Sequence, residues 1–304
     1  MKVLVFGSNG LVGNSLRRIL KNYDYQVEFS TRKKVNLFDE KETFQAIKKF
    51  DPDCIINAAA KVGGIYANDT KRTEFLINNL KINLNILESI KEFSQTKVIN
   101  LGSSCIYPLN AENPISEKSF MTGKLEPTNS AYAIAKITAI ELGRAIGREY
   151  GHNVINLMPT NLYGPDDNFS ELESHVIPGL IGRMHKAKIE KKMKFHIWGT
   201  GKPLREFLHV DDLATSIMFI LENEINQDLL NIGSGQEISI LDLAEEIKEI
   251  VGYEGELIFD SSKPDGNPRK LLDSSLINSL GWNPSIDLKT GLKSTYDWYL
   301  NSYN

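Results

Sequence analysis

The chain opens with Lys2-Val3-Leu4-Val5-Phe6, followed at once by Gly7-Ser8-Asn9-Gly10-Leu11-Val12-Gly13. The apolar run is short and is ended by a glycine, which is typical of a buried parallel strand. The turn has the spacing G-x-x-G-x-x-G and leads into a segment with helical apolar periodicity. Glycines in this pattern permit a tight turn, let a pyrophosphate approach the backbone, and let the helix pack closely on the strand. The residues we expect to contact a dinucleotide are Gly7, Gly10, Leu11, Val12 and Gly13.

Strand and helix patterns alternate after this turn, with no internal repeat and no linker. Strands are predicted at 26–30, 53–57 and 97–101, and helices near 40–50, 71–93 and 129–150. Such alternation predicts an α/β fold with a doubly wound parallel sheet of the Rossmann type. Ligands bind such sheets at the carboxyl ends of the strands. The small residues Ala58-Ala59-Ala60 follow one of these strand ends, so we expect a cofactor to lie across Ala59.

Composition excludes several other classes of protein. The chain has 304 residues, 41% of them hydrophobic, with a net charge of −4 and a pI near 5.8. This balance argues against nucleic acid or an anionic membrane as the main partner. From the sequence we expect neither an apolar leader nor a membrane span, and two cysteines imply no disulfide framework. We therefore expect a cytoplasmic protein, and no residue pattern indicates a metal site.

The end of the second predicted strand indicates which dinucleotide binds. It carries Thr31-Arg32-Lys33-Lys34, where an NAD site usually places an acidic residue for the ribose 2′-hydroxyl. An arginine suits the 2′-phosphate of NADP instead. The sequence therefore favours NADP, with Arg32 as the discriminating residue. A solvated loop of charges is the alternative interpretation.

A proton-transfer pair is predicted on the helix at 129–150. Tyr132 and Lys136 are four residues apart, which puts the phenol and the ammonium on one helix face. A charge about 4 Å from a phenolate stabilises it by roughly 4 kcal/mol, or up to about 3 pKa units. Alone, the pair is indistinguishable from an ordinary helix face. Ser103 follows the strand 97–101 and can orient a carbonyl beside the phenol, and the three residues together indicate catalysis.

These features resemble the extended short-chain dehydrogenase/reductase family. Further stretches, in the same order along nearly the whole chain, are similar to its members that epimerise and reduce GDP-linked 4-keto sugars. They are residues 58–65, 102–108, 125–129, 158–165, 174–178, 198–212, 263–266 and 268–273. The resemblance implies a Rossmann domain at 1–164 that binds NADPH, with a return segment at about 206–232. It implies a smaller α+β domain, from 165–205 and 233–304, that binds a GDP-sugar.

The resemblance also assigns roles to residues. It implies that Tyr132 donates a proton to O4, that Ser103 orients the C4 carbonyl, and that Lys136 lowers the Tyr132 pKa and holds the nicotinamide ribose. Cys105 and His175 match a pair that exchanges protons at C3 and C5. Further cofactor contacts are expected from Pro159, Thr160, Asn161, Leu162 and His175. Substrate contacts are expected from Asn161, Arg183, Trp198, Arg205, Asp265 and Lys270. In the return segment, Asp211 or Asp212 is expected to cap the following helix.

The thiol and imidazole make chemical sense in such a reaction. A C–H beside a ketone is acidic because its carbanion delocalises into an enolate, which hydroxyl donors stabilise. Inversion needs two groups on opposite faces of the ring, and groups with reference pKa values of about 8.5 (Cys) and about 6.5 (His) can both exchange protons at neutral pH.

Three functions stay open at this point. The resemblance favours a bifunctional 3,5-epimerase/4-reductase that converts GDP-4-keto-6-deoxy-D-mannose to GDP-L-fucose with NADPH. The nearest alternative is a C4-reductase of a related GDP-4-keto-6-deoxy sugar, such as a heptose. A non-catalytic NADP-sensing protein is a remote third. A homodimer is expected through the long helices at 71–93 and 129–150.

Overall fold

A computed structural model describes residues 1–93, 96–170, 174–263 and 265–303. Residues 171–173, within the loop 168–174 on which selection among hexoses and heptoses depends, and Pro264 of the 263–266 stretch lie outside these ranges. The strands are β1 (Lys2–Phe6), β2 (Gln26–Ser30), β3 (Cys54–Asn57), β4 (Lys97–Leu101), β5 (Val154–Pro159), β6 (Asn161–Tyr163), β7 (Lys194–Trp198), β8 (Leu204–His209), β9 (Leu229–Ile232), β10 (Glu237–Ser239), β11 (Glu256–Asp260) and β12 (Arg269–Lys270). The helices are α1 (Leu11–Ile19), α2 (Glu40–Phe50), α3 (Ile65–Thr70), α4 (Arg72–Ser89), α5 (Ser130–Tyr150), α6 (Val176–Ile189), α7 (Val210–Glu222), α8 (Ile240–Val251), α9 (Ser275–Leu280) and α10 (Leu288–Tyr303). Among the described helices, none has the length and apolarity that crossing a membrane requires.

The central sheet has six parallel strands in the order β2-β1-β3-β4-β5-β9. Successive side chains of a strand point to opposite faces. Accordingly Val3 and Val5 pack with α1 and α7, whereas Leu4 and Phe6 pack with α2, α4 and α5. All four are at most 1% exposed, so both faces of the sheet are covered by helices. The predicted doubly wound α/β fold is confirmed.

A smaller α+β part carries its own core. Strands β10, β8 and β12 form one sheet, to which β6 adds by pairing with β8, and β7 pairs with β11. Helices α6, α8 and α10 bury their apolar residues against these strands, around Leu180, Ile247 and Leu292. Lys270 pairs in register with Arg205, which places two cations side by side on neighbouring strands.

A row of buried amides crosses the central sheet. Asn57, Asn100 and Asn156 occupy paired positions on β3, β4 and β5. Asn57 Nδ2 donates to Asn100 Oδ1 at 2.9 Å, and Asn100 Nδ2 donates to Asn156 Oδ1 at 3.1 Å. Asn57 Oδ1 accepts from the backbone N–H of Ala59 at 3.2 Å, while Asn156 Nδ2 donates to the carbonyl oxygen of Asp228 at 3.1 Å. The row therefore joins the loop after β3 to the chain before β9.

The cap of α7 differs from the prediction. His209 is the N-cap residue, and its Nδ1 accepts from the backbone N–H of Asp211 at 3.2 Å. Asp211 instead accepts from Arg18 of α1 at 2.8 Å, and Asp212 accepts from the backbone N–H of Ser285 at 3.0 Å. The expectation that Asp211 or Asp212 caps this helix was wrong, because both carboxylates are held by partners distant in sequence.

Candidate active site

The glycine turn lies at the point where the order of the sheet reverses. β1 pairs with β2 on one side and with β3 on the other, so the chain leaves these strand ends in opposite directions and opens a crevice. Gly7 has φ +77°, and a Cβ there would lie 2.5 Å from the backbone nitrogen of Ala59. A Cβ on Gly13 would lie 2.4 Å from the Gly7 carbonyl oxygen. The turn therefore packs against the backbone after β3 and against its own first residues at distances that only glycine permits.

The first of two neighbouring cavities, the glycine-turn cavity, has a volume of about 330 Å³. Its walls include Gly7, Gly10, Arg32 and Ala59. The Arg32 guanidinium lies 5.0 Å from the centre of the Phe38 ring, which also lines this cavity. An arginine held over an aromatic ring keeps its donors available at the edge of that ring. This cavity therefore suits the adenosine end of a dinucleotide.

The second, the Tyr132 cavity, has a volume of about 270 Å³. It shares Gly10 and the segment 58–60 with the first, so the two are parts of one cleft along the carboxyl edge of the sheet. The residues predicted from sequence that line it are Gly10, Leu11, Val12, Ala59, Ser103, Tyr132, Lys136, Pro159, Thr160, Asn161, Leu162 and His175.

Lys136 is the most buried charged group of this cavity, at 2% exposure. Its Nζ donates to the carbonyl oxygen of Leu101 at 2.6 Å and lies 5.6 Å from the centre of the Tyr132 ring. Burial lowers the pKa of the Lys136 ammonium to about 8. Ser103 lies at the end of β4, where its Oγ accepts from the backbone N–H of Cys105 at 3.3 Å. The three groups thus share one wall of the cavity.

The Tyr132 phenol departs from expectation in one respect. Its pKa is raised above the usual value, first because burial disfavours the phenolate and second because of the nearby Cys105. Desolvation therefore opposes the lowering of this pKa that was expected from Lys136, whose ammonium donates to a backbone carbonyl. Tyr132 consequently holds its proton at neutral pH, as a group that donates a proton must.

Cys105 and His175 occupy different surroundings. His175 lines the Tyr132 cavity immediately before α6 and keeps solvent access, although desolvation lowers the pKa of its imidazole. Cys105 is buried at 6% exposure, in a single helical turn after Ser103, and is not among the residues that line the cavity. Burial raises the pKa of its thiol, while Lys270, a hydrogen bond with Ser103, and Lys136 act in the opposite direction.

The residues expected to hold the substrate lie mostly outside the Tyr132 cavity. Asp265 accepts from the backbone N–H and the hydroxyl of Thr200 at 2.6 and 2.8 Å, so it closes a loop. Burial lowers the pKa of Arg205, whereas Asp265 raises it. Trp198 is 68% exposed and lies under the Lys263 ammonium. Arg183, on α6, lies over the Phe195 ring. Lys270 is desolvated enough to lower its pKa, and only Asn161 of the predicted set lines the cavity.

One charged residue that lines the cavity was missed from sequence. Asp167 lines it and is only 8% exposed. Burial raises the pKa of its carboxyl to about 7. Asp166 and Asp167 are adjacent acids, and sequence alone gives no signal for which of them faces the protein interior. In the part of the chain that the structure covers, no group of three or more His, Cys, Asp or Glu side chains is placed to hold a metal ion.

Comparison with known proteins identifies the family. The model of the NAD dependent epimerase/dehydratase family matches residues 3–233. The chain is 47% identical to GDP-L-fucose synthase 1 of Arabidopsis thaliana, over 99% of this chain and 94% of that protein. Among solved structures it resembles a GDP-L-fucose synthetase from Naegleria fowleri bound to NADP, with a TM-score of 0.90 and 29% identity over 99% and 94% of the two chains. It also resembles a GDP-mannoheptose C4 reductase from Campylobacter jejuni with NADP bound, with a TM-score of 0.90 and 32% identity over 98% of each chain. The chain therefore belongs to the NAD dependent epimerase/dehydratase family and, among the extended short-chain dehydrogenase/reductases, to the family of the GDP-L-fucose synthases.

Proposed function

We propose that this protein is an NADPH-dependent 3,5-epimerase/4-reductase that converts GDP-4-keto-6-deoxy-D-mannose to GDP-L-fucose. The observation that carries the proposal is the meeting of Ser103, Tyr132, Lys136 and His175 around one cavity. A hydroxyl, a phenol and an ammonium serve carbonyl reduction, whereas an imidazole beside them serves proton exchange at carbon. The relatives of high identity over nearly the whole chain support the same assignment.

The cleft is suited to NADP(H). The glycine turn would receive the pyrophosphate, and Arg32 would pair with the 2′-phosphate of the adenosine. Ala59, Lys136 and the segment 159–162 would contact the nicotinamide half, with His175 at its edge. When bound, NADPH supplies a hydride to a carbonyl carbon. The chain's own residues supply everything else.

In the reduction, the protein delivers one proton. Ser103 donates a hydrogen bond to the C4 carbonyl oxygen, and Tyr132 gives its phenolic proton to that oxygen as charge develops there. Lys136 stabilises the resulting phenolate, since its ammonium lies 5.6 Å from the ring centre. The raised Tyr132 pKa keeps the proton in place until charge develops on the oxygen.

In the epimerisation, each inversion removes a proton from C3 or C5 and returns one to the opposite face. The C–H bond breaks, its electron pair enters the enolate, and the Ser103 and Tyr132 hydroxyls stabilise the enolate oxygen. Cys105 and His175 are the proposed proton carriers. His175 is suited because its lowered pKa leaves a neutral imidazole that accepts a proton at physiological pH.

We propose that the cofactor and the substrate are bound by the two parts of the chain that the sequence suggests. Residues 1–164, with a return segment at about 206–232, would bind NADPH, and 165–205 with 233–304 would bind the GDP-sugar. The substrate would be contacted by Asn161, Arg183, Trp198, Arg205, Asp265 and Lys270. The cations suit a diphosphate, and the register pair Arg205 and Lys270 is the strongest local support, because both lie in surroundings that desolvate them.

The test is NADPH oxidation with GDP-4-keto-6-deoxy-D-mannose, followed by the stereochemistry of the product. A Cys105→Ser variant is expected to bind NADPH normally and to lose most deuterium incorporation from heavy water. Cys54→Ala is the matched control, because that thiol is buried in β3. Unchanged deuterium incorporation in Cys105→Ser would remove Cys105 from the mechanism.

A C4-reductase of a related GDP-4-keto-6-deoxy sugar, such as a heptose, is the second candidate. It is favoured by one observation: Cys105 is buried, has a raised thiol pKa and does not line the cavity. The likeness to a GDP-mannoheptose C4 reductase agrees with it. Mass spectrometry of product formed in heavy water separates the two functions, because a reductase without epimerase activity places no solvent deuterium on carbon.

We infer a homodimer that forms through α4 and α5. Ile77 and Leu84 on α4 and Ile134 on α5 are 43%, 39% and 47% exposed, and burying such side chains in a second copy is favourable. A cytoplasmic location is part of the same proposal, supported by two free, buried thiols. Sedimentation of the purified protein and fractionation of cells test these two points.

A further inference from the structure

Asp167 has one carboxylate oxygen without a partner. Its Oδ1 accepts from the backbone N–H of Asn168 at 2.7 Å, whereas its Oδ2 is buried and has no hydrogen-bond partner among the described residues. The side chain is more than nine-tenths buried, and the space it adjoins is the Tyr132 cavity. An unpaired acceptor in such a place lowers stability unless something else donates to it.

The loop that carries Asp167 is anchored on both sides. Asp166, in a left-handed conformation with φ 71°, accepts from Arg18 Nη1 at 2.6 Å, and Arg18 Nη2 also binds Asp211 at 2.8 Å. On the other side Phe169 packs against Trp298 and Tyr299, with ring centres 5.9 and 4.8 Å apart. Asp167 is thus held at the cavity wall by contacts that lie outside the cavity, which is the arrangement of a preorganised binding group.

The chemistry of the acceptor restricts what it binds. A carboxylate repels a diphosphate, so neither the pyrophosphate of NADPH nor the diphosphate of the GDP-sugar is expected to bind beside Asp167. The protein groups around the cavity do not fill the need: Lys136 Nζ donates to Leu101 and the Asn161 amide donates to the carbonyl oxygen of Glu206. A neutral donor brought in by a ligand would satisfy this oxygen. A 4-keto-6-deoxy hexose has such donors at its C2 and C3 hydroxyls, and NADPH has them on its ribose and carboxamide.

We propose that Asp167 is a substrate-binding residue whose carboxylate accepts a hydrogen bond from a ring hydroxyl of the sugar, at C2 or C3. The assignment to the sugar rests on the proposed function and on position. Asp167 lines the Tyr132 cavity and not the glycine-turn cavity, so it lies away from the adenosine half of the dinucleotide. Its loop also packs through Phe169 into the core of the smaller part of the chain. By this contact Asp167 fixes the ring position at which Tyr132 and His175 act.

The test compares Asp167→Asn and Asp167→Leu with the wild-type protein. Each variant is measured for the KM of GDP-4-keto-6-deoxy-D-mannose at saturating NADPH, and separately for the Kd of NADPH by fluorescence titration. We expect the sugar KM to rise about 10- to 100-fold, the range for losing a hydrogen bond to a charged group, while the NADPH Kd stays within about twofold. Asp297→Asn makes the same chemical change at an exposed site and should alter neither constant.

Substrate analogues sharpen the result. With a GDP-sugar that lacks the recognised hydroxyl, wild type and Asp167→Asn should bind equally well, an outcome that a merely structural role would not produce. Unchanged constants in Asp167→Asn overturn the inference, and so does a raised NADPH Kd with an unchanged sugar KM, which would assign the donor to the cofactor. A wild-type protein with no turnover overturns the proposed function itself, and this inference with it. If Asp167→Leu does not fold, the isosteric Asp167→Asn decides alone.

Discussion

Replacing Asp167 by Asn should stabilise the protein, and by an amount that depends on pH. Burial raises the pKa of this carboxyl from an ordinary 3.8 to about 7. The native state therefore binds the proton more tightly than the unfolded state does. Between these two values, a rise in pH removes a proton more readily from the unfolded chain, so the wild-type protein loses stability as the pH rises. Asn does not titrate and escapes this loss.

The magnitude follows from the two pKa values. Each pKa unit corresponds to 1.36 kcal/mol, so the full effect at a pH well above 7 is about 4 kcal/mol. Integrated from pH 5 to pH 8, the stability advantage of Asp167→Asn should grow by about 2.5 kcal/mol. For a chain of 304 residues this corresponds to a change of about 4 °C in the difference between the two thermal midpoints.

The assay is thermal unfolding of wild type and Asp167→Asn, without ligands, at pH 5 and pH 8. The quantity compared is how the difference between the two thermal midpoints changes with pH. The contributions of the titrating groups that the two proteins share cancel in this difference. Asp297→Asn, at an exposed position, should show a difference that does not change with pH. If the difference in thermal midpoint between Asp167→Asn and wild type stays constant or narrows from pH 5 to pH 8, the carboxyl is not a buried, unpaired acid.

Three further outcomes are expected. The kcat for reduction should fall above about pH 8, where Lys136 loses its proton because burial lowers its pKa. In Lys136→Arg this fall in kcat should occur at a higher pH. A fall at the same pH in both proteins would assign the titration to another group. Arg32→Ala should raise the Kd of NADPH about 10- to 100-fold and leave the Kd of NADH unchanged, since a charge-assisted pair contributes about 1.5–3 kcal/mol. Equal effects on both Kd values would mean that Arg32 does not bind the 2′-phosphate. Ile134→Asp should shift the protein to monomers in sedimentation because it places a charge in the proposed apolar interface, whereas a variant that stays dimeric would place the interface elsewhere.

Much of the fold follows from local pattern. The glycine turn after β1 and the alternation of strands and helices were sufficient to predict a doubly wound sheet, because both reflect constraints within a few residues. The same holds for the meeting of Ser103 with Tyr132 and Lys136. Parallel strands bring their carboxyl ends to one edge, and helical spacing then sets the phenol beside the ammonium.

What the sequence does not disclose depends on contacts between distant segments. His209 caps α7 because the nearby acids are already held by Arg18 and by the backbone at 285–286. Which of two adjacent acids turns inward depends on the left-handed backbone at Asp166 and on its ion pair with Arg18. The Tyr132 pKa is raised by desolvation and by the nearby Cys105, and only the packed structure shows that the phenol is buried beside this thiol.

The amide row across the central sheet has an evolutionary consequence. Its donors all run one way, from Ala59 through Asn57, Asn100 and Asn156 to the carbonyl before β9, so their dipoles add head to tail and each member depends on the next. Replacing any one by leucine leaves its neighbours without partners in the dry interior. Replacing all three together still leaves two groups unpaired: the buried Asn83 Oδ1, which accepts from Asn57 Nδ2 at 3.1 Å, and the Ala59 N–H. Single and joint replacements by apolar residues both lower stability, so selection should retain amides at all three positions in descendants of this chain.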